Sequence, residues 1–181
     1  MAKLRSICIF CGSEPGDDPR YEAMADAAGR HIAESGVRLV YGGGEIGLMG
    51  VAARAAQAAG GEVLGVIPEF MIPAEGAQEE IELRKVATMG ARKAILIEEA
   101  DAFLILPGGT GTLESIFDLI SRRREGHRAK PVVFADAEFW APLKALLDKV
   151  AEEGFVIGDA FEGLSFEADL EDALDRLLGA D

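Results

Sequence analysis

A chain of 181 residues, 49% apolar and 28% charged, fits a single domain over 1–181 with a sizeable core. A formal net charge of -14 argues against nucleic acid or an anionic membrane as partner, since both need a broad basic face, but leaves room for a small anion in a locally positive site. No run of about eighteen apolar residues is present and the first residues lack a signal-peptide pattern, so the expected compartment is the cytoplasm.

In chain order, Ser6–Phe10 reads as an apolar strand holding Cys8, with Cys11 just beyond it. A redox C-x-x-C sits at a helix start, where the dipole lowers the thiol pKa. A zinc site needs two more ligands, and His31 and His127 are isolated. Two reduced core thiols and no metal are expected. Tyr21–Glu34 follows as a helix, started near Asp18-Pro19 and ended by Gly36. Val37–Tyr41 is a strand, Gly42–Gly44 a tight turn, and Leu48–Ala59 an alanine-rich helix stopped by Gly60-Gly61. Val63–Ile67 is a third strand. Phe70–Glu80 carries Pro, Gly and mixed polarity and reads as a loop, with a short strand at Ile81–Val86. Met89–Ala100 is helical, Ala102–Leu106 a strand, Pro107–Gly111 a turn and Thr112–Arg124 a helix. Pro131–Phe134 is the last expected strand; Phe139–Glu153 and Asp169–Leu178 are the last helices. Trp140 reads as packing a helix start, and Arg122–Arg124 as a solvated helix end.

This alternation predicts an α/β fold: a doubly wound, mostly parallel sheet with helices on both faces. Ligands of such sheets sit beyond the carboxyl ends of the strands, which directs attention to Gly12-Ser13, Gly42–Gly47, Pro68-Glu69 and Pro107–Glu114.

Pro107-Gly-Gly-Thr-Gly-Thr112 joins a strand to a helix. Its glycines let the backbone approach a ligand closely, and the helix start offers unpaired N–H groups and a partial positive charge. Gly108, Gly109, Thr110, Gly111 and Thr112 are therefore expected to hold a phosphate, with Thr112 as helix N-cap. Gly42-Gly-Gly-Glu-Ile-Gly47 contains G-x-G-x-x-G but lacks the context of a dinucleotide fingerprint, and reads as a turn packed round the same ligand. Glu114 is expected in the first turn of its helix, either complementing the dipole or beside a bound nucleotide. Arg92-Lys93 opposes the dipole of its own helix, which an anion would explain.

These motifs resemble a known family. Cys8-Ile-Phe-Cys-Gly-Ser13, Tyr41-Gly-Gly-Gly-Glu-Ile-Gly-Leu-Met-Gly50, Gly65-Val-Ile-Pro68, Pro107-Gly-Gly-Thr-Gly-Thr-Leu-Glu114 and Glu152-Glu-Gly-Phe155 are similar to the LONELY GUY family of cytokinin riboside 5′-monophosphate phosphoribohydrolases. Many of its members once carried the label lysine decarboxylase, for which no lysine here has a recognisable pyridoxal site. The resemblance implies a Rossmann-like fold, a homodimer and no cofactor. It implies cleavage of a nucleoside 5′-monophosphate, purine or cytokinin, to free base and ribose 5-phosphate. Carried onto this chain it makes Arg92 and Glu114 catalytic. Gly12, Ser13, Gly43, Gly44, Met89, Lys93 and Gly108–Thr112 become substrate contacts.

Three stretches depart from the family pattern. The usual Met-His-x-Arg-Lys is Met89-Gly-Ala-Arg-Lys93, the usual second glutamate after Gly-Thr-x is Ser115, and the usual Trp-x-Gln-Leu-Gly is Arg122-Arg-Arg-Glu-Gly126. A carrier that binds a nucleotide or phosphorylated cofactor without hydrolysing it is the second reading, and the missing glutamate favours it.

Overall fold

The computed structural model describes residues 4–123, 130–156 and 160–179. Seven strands form one sheet: β1 (Ser6–Phe10), β2 (Arg38–Tyr41), β3 (Val63–Pro68), β4 (Glu82–Val86), β5 (Ala102–Ile105), β6 (Val132–Ala135) and β7 (Leu164–Glu167). Their order is β4-β3-β2-β1-β5-β6-β7, and all six pairings are parallel. The inner strands SICIF, AFLI and VVFA are buried along their length, as a sheet covered on both faces requires. The edge strand β4 reads ELRKV and is half exposed; charge suits an edge that must not pair further.

The helices are α1 (Arg20–Glu34), α2 (Gly47–Ala58), the short α3 (Ile72–Glu75) after a 3-10 turn at Glu69–Met71, α4 (Met89–Glu99), α5 (Thr110–Arg123), α6 (Ala137–Glu152) and α7 (Leu170–Leu178). Ala28 and Ile32 of α1, Ala52 and Ala56 of α2, and Leu174 of α7 pack on one face with Ile7, Ile9 and Leu39. Leu96 of α4, Ile116 and Leu119 of α5, and Trp140 and Leu143 of α6 pack on the other with Cys8, Phe10 and Phe103. Strand side chains alternate between faces, so one apolar run feeds both cores.

Two expectations need correction. β7 follows no sequence signal strong enough to find it: four residues, two of them polar. Pairing with β6 and the stack of Phe166 on Phe134, with ring centroids 4.3 Å apart, account for its place. The stretch Phe70–Glu80 is not all loop, since it contains the 3-10 turn and α3. Trp140 is buried edge-on to Phe134 and Phe139, as a packing residue.

Cys8 and Cys11 are free and buried. Three residues apart on a strand-like run, they enter opposite cores, so they cannot act as a redox pair. Burial pushes both thiols up, Cys11 to about 12. Almost no thiolate is then present at pH 8. Native protein at pH 8 is expected to resist iodoacetamide, and guanidinium-unfolded protein to take two labels. Rapid labelling of the native chain by mass spectrometry would contradict this burial.

Candidate active site

The strand order reverses between β1 and β5, and ligands of doubly wound sheets sit at that reversal. Here the Gly12 N–H donates to the Pro107 carbonyl at 3.1 Å, and the Gly12 carbonyl accepts from the Leu48 N–H at 3.0 Å. The turns after β1 and β5 and the start of α2 are thereby tied together. A Cβ on Gly108 would lie 2.1 Å from Thr112 Oγ1 and 2.8 Å from the Gly12 nitrogen, so only glycine allows this contact.

The turn then enters α5 earlier than expected. The helix begins at Thr110, and its first bond runs from the Leu113 N–H to the Gly109 carbonyl at 3.0 Å. Thr112 is not the N-cap: it lies inside the first turn, buried beneath Gly108, and its hydroxyl has no hydrogen-bond partner among the described residues. The amides of Thr110, Gly111 and Thr112 precede any intrahelical acceptor. Gly109, Thr110 and Gly111 are exposed at the mouth of a cavity of about 610 Å³, within the range of small-ligand sites.

That cavity is lined by Gly12, Ser13, Met89, Arg92, Gly108–Thr112 and Glu114 of the expected site. Gly43, Gly44 and Lys93 are not part of its wall. Gly43, at φ +81°, lies against Val66, Ile67 and Leu83, and Gly44 lies against Glu75. Gly42 takes their place in the lining. Tyr21 and Phe139 also line the cavity, edge-on with ring centroids 6.0 Å apart.

Arg92 is placed by the start of α4, where the Thr88 hydroxyl accepts from the Ala91 N–H at 3.1 Å. The side chain turns inward and is buried. It is less free to meet an anion than its charge suggests. Its Nε donates to the Val66 carbonyl at 3.0 Å and its Nη2 to the Gly42 carbonyl at 2.6 Å, joining β3 to the turn after β2. A Cβ on Gly42 would lie 2.2 Å from Nη2. Nη1 meets only sulfur, Met71 at 3.6 Å and Met89 at 4.0 Å. Burial lowers the guanidinium pKa from its ordinary value, and the Glu75 carboxylate, 3.6 Å from Nη2, opposes that shift.

Glu114 lies in the second turn of α5, not the first, so the dipole does not explain it. Its Oε1 accepts from Lys93 Nζ at 2.6 Å, a pair that bridges α4 and α5. The Glu114 side chain is 59% exposed and can reach solvent as well as ligand. Ser115 also lines the cavity, and its hydroxyl donates back to the Gly111 carbonyl at 3.1 Å. Glu75, at the end of α3, was missed by sequence reasoning. Pro73 near the start and Gly76 at φ +70° after the end form a short-helix signature that could have revealed it.

Arg122 pairs with Asp118 at 2.9 Å, one turn back on α5. His31 is exposed, while Arg124, Gly126 and His127 lie outside the described residues. Among the described residues no group of three or more His, Cys, Asp or Glu is placed to hold a metal, and no helix is long and apolar enough to cross a membrane.

An all-parallel, doubly wound sheet with open helix amides at its topological reversal defines a Rossmann-like α/β protein with a strand-end ligand site. More narrowly, the chain belongs to the LONELY GUY (LOG) family of cytokinin riboside 5′-monophosphate phosphoribohydrolases. The family model described as possible lysine decarboxylase matches residues 49–177. The phosphoribohydrolase of Rhodococcoides fascians is 43% identical over 155 residues, covering 84% of this chain and 78% of that protein. LOG7 of Arabidopsis thaliana is 41% identical over 157 residues, covering 86% and 72%. The probable phosphoribohydrolase LOGL5 of Oryza sativa subsp. japonica is also 41% identical over 157 residues, covering 86% of this chain and 64% of its own length.

Solved structures share the fold at lower identity. A molybdenum cofactor binding protein from Rippkaea orientalis superposes with a TM-score of 0.68 at 19% identity, over 98% of this chain and 97% of that one. The molybdenum cofactor carrier protein of Chlamydomonas reinhardtii gives 0.65 at 21%, over 98% and 100%.

Proposed function

We propose that this protein hydrolyses the N-glycosidic bond of a purine or cytokinin nucleoside 5′-monophosphate, yielding the free base and ribose 5-phosphate. The observation that carries the reading is the open first turn of α5, whose amides face a cavity also lined by Arg92 and Glu114. The names of the relatives support it.

In this reading the Gly109–Thr112 amides take the phosphate, and remote binding energy places the sugar. The C1′–N bond breaks with its electron pair going to the base, which takes up a proton. Water adds its oxygen to C1′ and releases a proton to solvent or carboxylate. The ribose passes through an oxocarbenium-like state that the Glu114 carboxylate stabilises. Met89 and Gly42 wall the cavity, and Gly12 and Ser13 line it beside the phosphate loop. Lys93 acts through Glu114.

No cofactor enters this scheme. Buried unpaired cysteines suit a reducing cytoplasm, and one sheet running through the described residues supports a single domain over 1–181. Phe117 on α5 is 41% exposed, which with the family resemblance favours a homodimer that uses this helix. Light scattering at micromolar concentration is expected to give twice the chain mass; a monomer contradicts that reading.

The functional test is incubation with AMP and cytokinin riboside monophosphates. Free base and ribose 5-phosphate are expected in equal amounts. Tight binding with no base released would favour the carrier reading, for which the back-bonded Ser115 speaks. Release of inorganic phosphate would contradict both.

A further inference from the structure

Among the described residues, Arg92 has one nitrogen that bonds no oxygen. Its Nε and Nη2 are taken by the Val66 and Gly42 carbonyls, while Nη1 meets two thioethers, Met71 Sδ at 3.6 Å and Met89 Sδ at 4.0 Å. Sulfur is a weak acceptor, so this buried guanidinium keeps donors that its own surroundings do not satisfy well. Met71 and Met89 are both half-buried and both line the cavity, so a small solute that enters the cavity reaches them. Met71 is the nearer of the two. It ends the 3-10 turn Glu69–Met71, next to the exposed Phe70.

The addition of one oxygen to sulfur supplies the acceptor that Nη1 lacks. With a hydroperoxide, a sulfur lone pair forms the new S–O bond to one peroxide oxygen and the O–O bond breaks. The departing oxygen leaves as water or alcohol, taking the proton that the transferred oxygen carried. Sulfur is oxidised by two electrons and the peroxide is reduced by two. The product turns an apolar side chain into a polar one. Its oxygen carries partial negative charge and, on Met71, can lie one bond length closer to Nη1 than the sulfur does. A charge-assisted hydrogen bond to the guanidinium then stabilises the oxidised form. Met24, also half-buried, packs instead against the apolar core.

Resting on the function proposed above, we infer that Met71 is a modification site for hydroperoxides: its sulfoxide oxygen takes the Nη1 donors of Arg92 and withdraws them from a bound nucleotide. Those donors are what Arg92 has left to offer a ligand, since its other nitrogens are held by backbone. The turn Gly108–Thr112 holds no methionine, and the phosphate end of the cavity is unchanged by the reaction. Sulfoxides are reduced enzymatically, so the effect on the site is reversible.

The test treats the folded protein with hydrogen peroxide and maps the oxygen by peptide mass spectrometry. Kd for AMP and for ribose 5-phosphate is measured before and after. The Met71 peptide is expected to gain one oxygen ahead of the Met24 peptide, and the buried Cys8 and Cys11 to gain none. As Met71 is converted, Kd for AMP is expected to rise roughly tenfold or more, the worth of a hydrogen bond to a charged group, while Kd for ribose 5-phosphate stays the same. Met71→Leu keeps the side-chain volume and removes the sulfur, so its own AMP affinity is expected to survive the same treatment. Oxygen on Met71 with no change in AMP binding overturns the inference, as does a Met71→Leu protein that loses affinity like wild type. If that variant does not fold, wild type decides alone: a loss that follows oxygen on Met24, Met49 or Met89 rather than on Met71 overturns the assignment. Failure of untreated wild type to bind AMP strikes the nucleotide reading instead, a result kept distinct because the peptide map needs no substrate.

Discussion

Arg92→Ala is expected to abolish measurable turnover and to cost about 3–5 kcal/mol of stability, the usual penalty for removing one member of a buried ion pair. The guanidinium is the only charge facing Glu75 among the described contacts, and it bonds the carbonyls of Gly42, just after β2, and Val66, within β3. Truncation removes the donor from all three acceptors at once. The sequence alone suggests a pure ligand contact, whose loss would leave the fold intact; the buried geometry gives Arg92 both tasks. Urea unfolding and single-turnover kinetics, run where the variant is still folded, separate the two effects. A variant that unfolds with wild type would show that the bonds to Gly42 and Val66 contribute little.

Ser115→Glu is expected to raise turnover about 10²-fold, the low end for a restored acid–base group. Position 115 lines the cavity one residue beyond Glu114, and the present hydroxyl only closes a local bond to Gly111. Glu114 is already engaged by Lys93 and reaches solvent. A second carboxylate close to it would raise the pKa of one of the pair, so that one group could hold a proton for the departing base near neutral pH. The gain should appear in kcat more than in KM, because the phosphate contacts do not change. A lower rate in Ser115→Glu, or ordinary enzymatic turnover in wild type, would show that Glu114 suffices alone.

Much of this architecture was legible in the sequence because the signals were local. The runs Ser6–Phe10 and Ala102–Ile105 are continuous and apolar, and each is followed by glycine at the point of closest approach. The start of α5 was misplaced because Thr112 has the chemistry of an N-cap. What decides its role is the contact with Gly108 from the neighbouring turn, which the local sequence does not show. Glu114 shifted with it by the same two residues. β7 depends on Phe134, some thirty residues earlier, and α3 is one turn long, below what periodicity can detect. Glu75 escaped for the same reason. Its importance comes from where α3 docks, with the Glu75 carbonyl accepting from the Glu45 N–H at 2.8 Å beside the glycine turn.

The most direct test of the central claim is a crystal structure of the protein soaked with AMP, or with a non-hydrolysable analogue if the bond is cut. The account predicts the phosphate within hydrogen-bond distance of the Thr110, Gly111 and Thr112 amides and the glycosidic bond in the cavity between Arg92 and Glu114. A nucleotide bound elsewhere, or a turn at Gly109–Thr112 that stays closed against protein with no anion, would contradict it.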